Sequence, residues 1–460
     1  MSRPPLALAF VVALLGTACE GSSGGGGEQV SAEEARALRN EMFAASIPPV
    51  RIEPPPVSAE LFELGQALFF DKILSGNEDV SCATCHLPQF ATGDGRTLSD
   101  GVHGFGLGPD RDGGVIIPRN SPPLFGLHLR NELFWDGRVR DVGSFIALPP
   151  AVFLSPEMLA AFSPRLEVMA AQAMLPPVSH EEMRGLPGDN DLGDLGDGYG
   201  SPNGIPEITE LVWEELTVRL LALPGYVNLF RAAYPDVAIQ DFNFAHAGNA
   251  IAAFEAHAFA RTDSPFDRFM RGDDTALTPA EMRGARAFLE AGCASCHKGP
   301  LLSDLHYHNT GLPQLGPGLN GPDATPAIFG RPDFGRENTT RFPDDRYKFR
   351  TASLLNVELT APYGHAGQFE RLRDFVAHYQ DAHLSNLNYD IQSNVSDPAL
   401  VLMLVPNSDE VLATLDPRLQ TPNDFDVDAV VEFLHTLTAD DAYTLSDIVP
   451  ASVPSSLPIF

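Results

Sequence analysis

Four cysteines and two histidines set the chemistry of this 460-residue chain. They stand as Cys82-Ala83-Thr84-Cys85-His86 and Cys293-Ala294-Ser295-Cys296-His297, and with Cys19 they account for all five cysteines. Each cluster is C-x-x-C-H, the attachment pattern of a c-type haem. Cysteines at i and i+3 share a helical face, where both can form thioethers with the haem vinyl groups. The His that follows then reaches beneath the ring as proximal iron ligand. The competing readings are a pair of disulfides, a shared zinc site and a redox C-x-x-C pair. A disulfide between i and i+3 is strained, and zinc has no need of a His after each pair. The pattern predicts two covalent haems.

The elements that must hold them follow from position. The motifs lie 293 − 82 = 211 residues apart, so each haem is expected in its own domain. An internal echo points to duplication: Gly65-Gln66-Ala67-Leu68-Phe69-Phe70 precedes the first motif and Gly284-Ala285-Arg286-Ala287-Phe288-Leu289 the second. Both read as amphipathic helices running towards the haem. The second has a clear start, with Thr278 as N-cap, Pro279 at the first position and Glu281 completing a capping box. Further helices are expected over 210–223, 242–260, 372–379 and 427–437. Alternating strand patterns are scarce. The expected architecture is therefore mostly α: two cytochrome-c-like haem domains packed face to face, spanning 31–240 and 241–445, with a tail at 446–460. The Gly/Asp-rich stretch 185–206 reads as a solvated loop or as a calcium loop using Asp189, Asp191 and Asp194.

Composition bounds the function. Hydrophobic residues make up 44% of the chain, enough for real cores, and Gly and Pro at 40 each favour short elements in shaped loops. Lys+Arg 30 against Asp+Glu 61 gives a formal charge of −31, which repels phosphate backbones and argues against nucleic-acid binding. Such a surface suits solubility or a basic partner. At the N-terminus, Arg3, an apolar run over 6–15 too short to span a bilayer, and Gly16-Thr17-Ala18 lead into Cys19 and a Gly-rich tether over 21–26. That order predicts export, to the periplasm, with a lipid on the Cys19 thiol. Gly16 stands where such signals usually carry Leu, and ordinary secretion is the alternative.

With these motifs in place, the chain resembles the bacterial di-haem cytochrome c peroxidases and their MauG/MbnH-like branch, from about Ser58 to Thr438. The resemblance rests on Arg119-Asn120-Ser121-Pro122, Phe134-Trp135-Asp136-Gly137-Arg138, Pro265-Phe266-Asp267, Arg271-Gly272-Asp273, Glu358-Leu359-Thr360-Ala361-Pro362-Tyr363 and Phe433-Leu434-His435-Thr436-Leu437-Thr438. It implies a hydrogen peroxide site at the first haem, an electron-transfer second haem and a redox partner protein. Trp135 matches the tryptophan between the haems. Asn120, with the carbonyls of Thr360 and Pro362, matches an inter-haem calcium site. Gln172 and Glu182, ten positions apart, match the residues lining the peroxide pocket, with Glu182 as acid-base group and Glu181 as the alternative register. His103 resembles the loop His that ligates the first iron at rest, although the chain carries one extra residue there and an insertion before Arg119. Tyr379 falls where classical peroxidases place a Met ligand to the second haem. Tyr there marks the MauG-like branch; His378 and Met403 compete for the role. His246, His257, His306 and His308 are read as packing or polar loop residues.

Three functions stay open at this point. A classical peroxidase takes electrons from a small cytochrome or copper protein. A MauG-like enzyme passes oxidising equivalents to a partner protein. A di-haem electron carrier does no catalysis.

Overall fold

Two helix crossings, each made at a glycine, organise the chain. The computed structural model describes residues 31–50, 53–143, 145–198, 204–319 and 330–460, so the expected signal segment and Cys19 lie outside the described residues. In the first half, helix Ala59–Phe70 crosses helix Phe244–Ala258 at Gly65, where an added Cβ would stand 1.9 Å from the Ala250 carbonyl oxygen. In the second half, helix Pro279–Glu290 crosses helix Val427–His435 at Gly284, where a Cβ would stand 2.2 Å from the Ala429 oxygen. The aromatic packing repeats as well. Phe69 meets Phe254 at 5.1 Å and 52°, and Phe288 meets Phe433 at 5.1 Å and 56°. Gly65 and Phe69 hold the same places in the sequence echo as Gly284 and Phe288. The echo is thus a repeated packing device: only glycine lets the backbones approach, and the Phe one turn on fills the crossing.

The helices begin where local chemistry allows. Thr278 and Glu281 form the expected capping box, and Ser31 and Glu34 form another ahead of Ala32–Ala44. The other expected helices are observed as Pro206–Leu221, Phe244–Ala258, Leu372–His378 and Val427–His435. Strands are few and short. Glu132–Leu133, Val139–Asp141 and Ile146–Ala147 form an antiparallel sheet with Glu132 opposite Arg140, and Tyr307–His308 pairs with Phe349–Arg350. Among the described residues no helix is long and apolar enough to cross a membrane.

Packing ties distant parts of the chain together. Helix Phe244–Ala258 is buried along nearly its whole length against Ala59–Phe70 and Glu167–Ala173. The first helix belongs with the second half: Arg39 pairs with Asp274 at 2.6 Å and Glu41 with Arg286 at 3.2 Å. The tail at 446–460 returns to the first half, where Gln66 donates to the Ile448 carbonyl and the Ser455 hydroxyl to Asp71. Both ends of the chain thus strap across to the opposite half. Within the 185–206 stretch, residues 185–198 use their own acids: Asp189 accepts from the Leu186 amide and Asp194 from the Gly188 amide.

Candidate functional site

Cys82–Cys85 forms a single helical turn, entered through Ser81, whose amide donates to the Thr84 hydroxyl at 2.9 Å. His86 follows, and its Nδ1 donates to the Thr92 carbonyl at 2.8 Å. The second motif has the same arrangement, with His297 Nδ1 donating to the Leu302 carbonyl at 2.8 Å. In each, the bonded Nδ1 fixes the tautomer that leaves Nε2 as a lone-pair donor for iron. Burial lowers the pKa of both histidines and keeps the rings neutral. All four cysteines are free, and burial raises the thiols at Cys82 and Cys293, which suits uncharged sulfur rather than a zinc thiolate. Cys296, Asp304 and His308 lie close enough to suggest a metal group. Both nitrogens of His308 are committed, however, to Asp416 at 2.9 Å and Asp304 at 3.0 Å, so the group is already satisfied within a hydrogen-bonded cluster.

Beside the first motif lies a partly open cavity, with about 1100 Å³ of space free of atoms when the solvent at its mouth is included. Its wall contains Cys82, Cys85, His86, Gln172, Glu182, Trp135, Arg138 and Asn120. Paired thiols, a neutral imidazole with Nε2 available and an adjoining cavity lined by both fit a c-type haem. Gln172 is on helix Glu167–Ala173, and Glu182 lies in the π-helical turn His180–Arg184. Burial pushes the Glu182 carboxyl up to about 7, with nearby Arg138 opposing and Glu181 reinforcing the shift. Glu181 is not in the wall: its carboxylate takes the Ser179 hydroxyl and its carbonyl the Val102 amide.

Trp135 sits in the turn of the hairpin joining Glu132–Leu133 to Val139–Asp141, and its Nε1 donates to the Asn120 carbonyl at 2.9 Å. Arg119 binds Asp136 at 2.8 Å and Asp333 at 2.6 Å, so two motifs read separately in the sequence meet in one buried ionic cluster. The Trp135 carbonyl accepts from the Arg350 amide, and the Leu354 amide and Ser353 hydroxyl both donate to the Leu301 carbonyl. A short run, 350–354, therefore links the tryptophan to the residue preceding Leu302, whose carbonyl holds His297. Asn120 gives its side-chain amide to the carbonyls of Arg96 and Thr97, and its backbone amide to His365, two residues past Tyr363. Thr360 and Pro362 lie in that neighbouring segment.

His103 is not brought to the cavity. It is exposed, and its Nε2 pairs with Asp189 at 2.7 Å while its amide donates to Asp79. In this structure the loop holds it on Asp189, outside the cavity wall. At the second motif, Tyr379 ends helix Leu372–His378, and its phenol lies near Cys296, Cys293 and Thr310. Burial raises the phenol well above its ordinary value. The two competitors are occupied elsewhere. His378 Nδ1 bonds the Ser385 hydroxyl and Nε2 the Thr310 carbonyl, both at 2.8 Å. Met403 is buried in a separate small core with Leu98, Leu315 and Leu400.

Sequence reading missed three ionisable residues of the cavity wall: Glu255, Arg130 and Arg350. Glu255 had a signal, as the single acid in the largely apolar helix Phe244–Ala258, which also carries His246, Asn249 and His257. The two arginines had none, since ordinary loop and strand arginines look the same in a sequence.

Two C-x-x-C-H turns, each presenting a histidine with a free Nε2 and one opening on a cavity with a buried carboxyl, define a di-haem c-type oxidoreductase. Comparison with known proteins agrees. A family model described as di-haem cytochrome c peroxidase matches residues 59–275. The chain is 30% identical over 402 residues to the cytochrome c551 peroxidase of Pseudomonas aeruginosa, covering 87% of this chain and 85% of that protein. It is 29% identical to the methylamine utilization protein MauG of Methylorubrum extorquens, over 70% of this chain and 69% of the other. Among solved structures, a MauG-like protein associated with microbial copper homeostasis aligns with a TM-score of 0.58 and 26% identity, over 88% of this chain and 97% of that one. The chain belongs to the di-haem cytochrome c peroxidase family and is a peroxidase-type oxidoreductase.

Proposed function

We propose that the chain reacts with hydrogen peroxide at the Cys82–Cys85–His86 haem and, in the MauG-like manner, passes oxidising equivalents to a partner protein. When bound, the haems supply the redox chemistry. The chain supplies the rest. Glu182 takes a proton from the near peroxide oxygen and returns it to the departing one, and a carboxyl held near 7 is suited to both steps. Gln172 orients peroxide beside it. Trp135, bonded through Nε1 and tied by its own carbonyl to the strand leading to the second site, provides an oxidisable relay.

The observation that carries the MauG-like reading is Tyr379, whose phenol lies at the second cysteine pair while His378 and Met403 are committed elsewhere. A phenol raised by burial ionises readily only against a cation, and ferric iron is one. Asn120, Thr360 and Pro362 hold a calcium ion between the sites, and the contact of Asn120 with His365 supports that placement. Haem attachment takes place outside the cytoplasm, so the protein works in the periplasm, held by a lipid on Cys19.

The test is to mix fully oxidised holoprotein with stoichiometric peroxide. Wild type reacts without prior reduction, and Tyr379→Met requires an electron first. Wild type that stays inert until one electron is supplied, or a sulfur-to-iron band in its ferric spectrum, overturns the reading. The classical peroxidase then takes its place, drawing electrons from a small cytochrome or copper protein, for which the net charge of −31 suits a basic donor.

A further inference from the structure

Arg130 and Arg350 are buried in the wall of the first cavity, 8% and 4% exposed, and each retains a guanidinium nitrogen with no partner: Nε of Arg130 and Nη1 of Arg350. Their hydrogen bonds go to backbone carbonyls, Arg130 Nη2 to Phe125 at 3.4 Å and Arg350 Nε to Phe134 at 3.2 Å. Among the described residues neither has a carboxylate within ion-pair distance. This is not the habit of the wall, because Arg119 beside them binds two aspartates.

A buried guanidinium without a counter-charge is costly, and two together are worse. Burial and the charge of Arg350 both lower the pKa of Arg130. The cavity's own acids do not fully balance the pair, since burial pushes Glu182 up to about 7 and Glu255 up to about 8 and so holds back their ionisation. Glu132 and Asp136 act on Arg350 only from beyond ion-pair distance, so what the pair lacks is an anion in contact, and a guanidinium fork matches a carboxylate in two parallel hydrogen bonds.

We infer that Arg130 and Arg350 form a carboxylate cradle that takes the propionates of the haem attached at Cys82 and Cys85. The assignment rests on the haem reading of that motif. Arg130 belongs to the first half of the chain. Arg350 arrives from the second, on strand Phe349–Arg350, and its amide holds the Trp135 carbonyl at 2.9 Å. Seating the propionates therefore fixes the first haem against the tryptophan and joins the two halves through the cofactor.

The test uses holoprotein, in which the thioethers retain the haem when the cradle is weakened. Midpoint potentials of both haems are measured in wild type, Arg130→Gln, Arg350→Gln and Arg350→Lys, with covalent haem staining as a separate check on attachment. Removing a buried positive charge favours the ferric form. Each Gln variant should lower the first haem's ferrous-to-ferric ratio about tenfold at fixed potential, about 59 mV for one electron, and move the second haem less. Arg350→Lys, which keeps the charge, should recover most of the shift. Unchanged potentials in both Gln variants with haem attached, or a shift confined to the second haem, would overturn the cradle. So would a wild-type potential that moves with added formate, because the arginines would then serve a free anion. Absent staining in wild type would instead defeat the haem assignment beneath it.

Discussion

His378 and Tyr379 are neighbours in sequence, with ring centroids 5.3 Å apart and planes at 81°, yet they do different work. The histidine spends both nitrogens on Ser385 and Thr310, while the phenol lies near Cys293 and Cys296. The two substitutions should therefore separate cleanly. His378→Ala should leave the ferric optical and paramagnetic spectra of the second haem unchanged, and Tyr379→Phe should alter them. Met403→Leu, a near volume-conserving change in a remote core, should be spectrally silent and cost less than about 1.5 kcal/mol.

The first haem site should titrate through Glu182. Its carboxyl is raised to about 7 by burial, and the form that accepts a proton from peroxide is the ionised one. The peroxide rate should rise as pH rises through about 7 and level off above it. Glu182→Gln should lower the rate by about two orders of magnitude and flatten that rise, with haem content unchanged. Glu181→Gln should behave nearly as wild type, since that side chain is not in the wall. Stopped-flow rates from pH 5 to 9 check all three.

Glu255 should show in stability rather than rate. Burial raises its pKa from 4.5 to about 8, and its Oε2 has no partner. A carboxyl whose pKa is higher folded than unfolded contributes stability fully below about 4.5, and loses it as pH rises through about 8. Glu255→Gln keeps the size and removes the ionisation. Its melting temperature relative to wild type should therefore climb between pH 5 and pH 9, by the equivalent of a few kcal/mol at most. A difference that is flat with pH would show that the carboxyl is not titrating in the folded protein.

The glycine crossings should be intolerant of a methyl group. In Gly65→Ala the new Cβ would stand 1.9 Å from a backbone oxygen, and in Gly284→Ala 2.2 Å, so the helices must separate. Each change should cost at least the roughly 1–3 kcal/mol of an overpacked core. Calorimetry on the two variants should give similar losses, because the two crossings are built alike.

Much of this was legible from local spacing. A C-x-x-C-H run places both thiols on one turn and the imidazole beyond it whatever surrounds them, and Thr278 with Glu281 starts a helix by contacts within one turn. The repeated Gly and Phe of the echo were visible too, although not their purpose, which needs the partner helices that contribute Ala250 and Ala429. Tertiary structure decided the rest. It packed helix Phe244–Ala258 against Ala59–Phe70, carried both chain ends across, and held His103 on Asp189 outside the cavity wall. It also separated Tyr379 from Met403, which packs against Leu98 some three hundred positions away, and brought Arg130 and Arg350 into one wall. The division has a physical cause. Covalent attachment and capping depend on residues a turn apart, whereas burial, ion pairing and the absence of a counter-charge depend on which distant segments fold against one another.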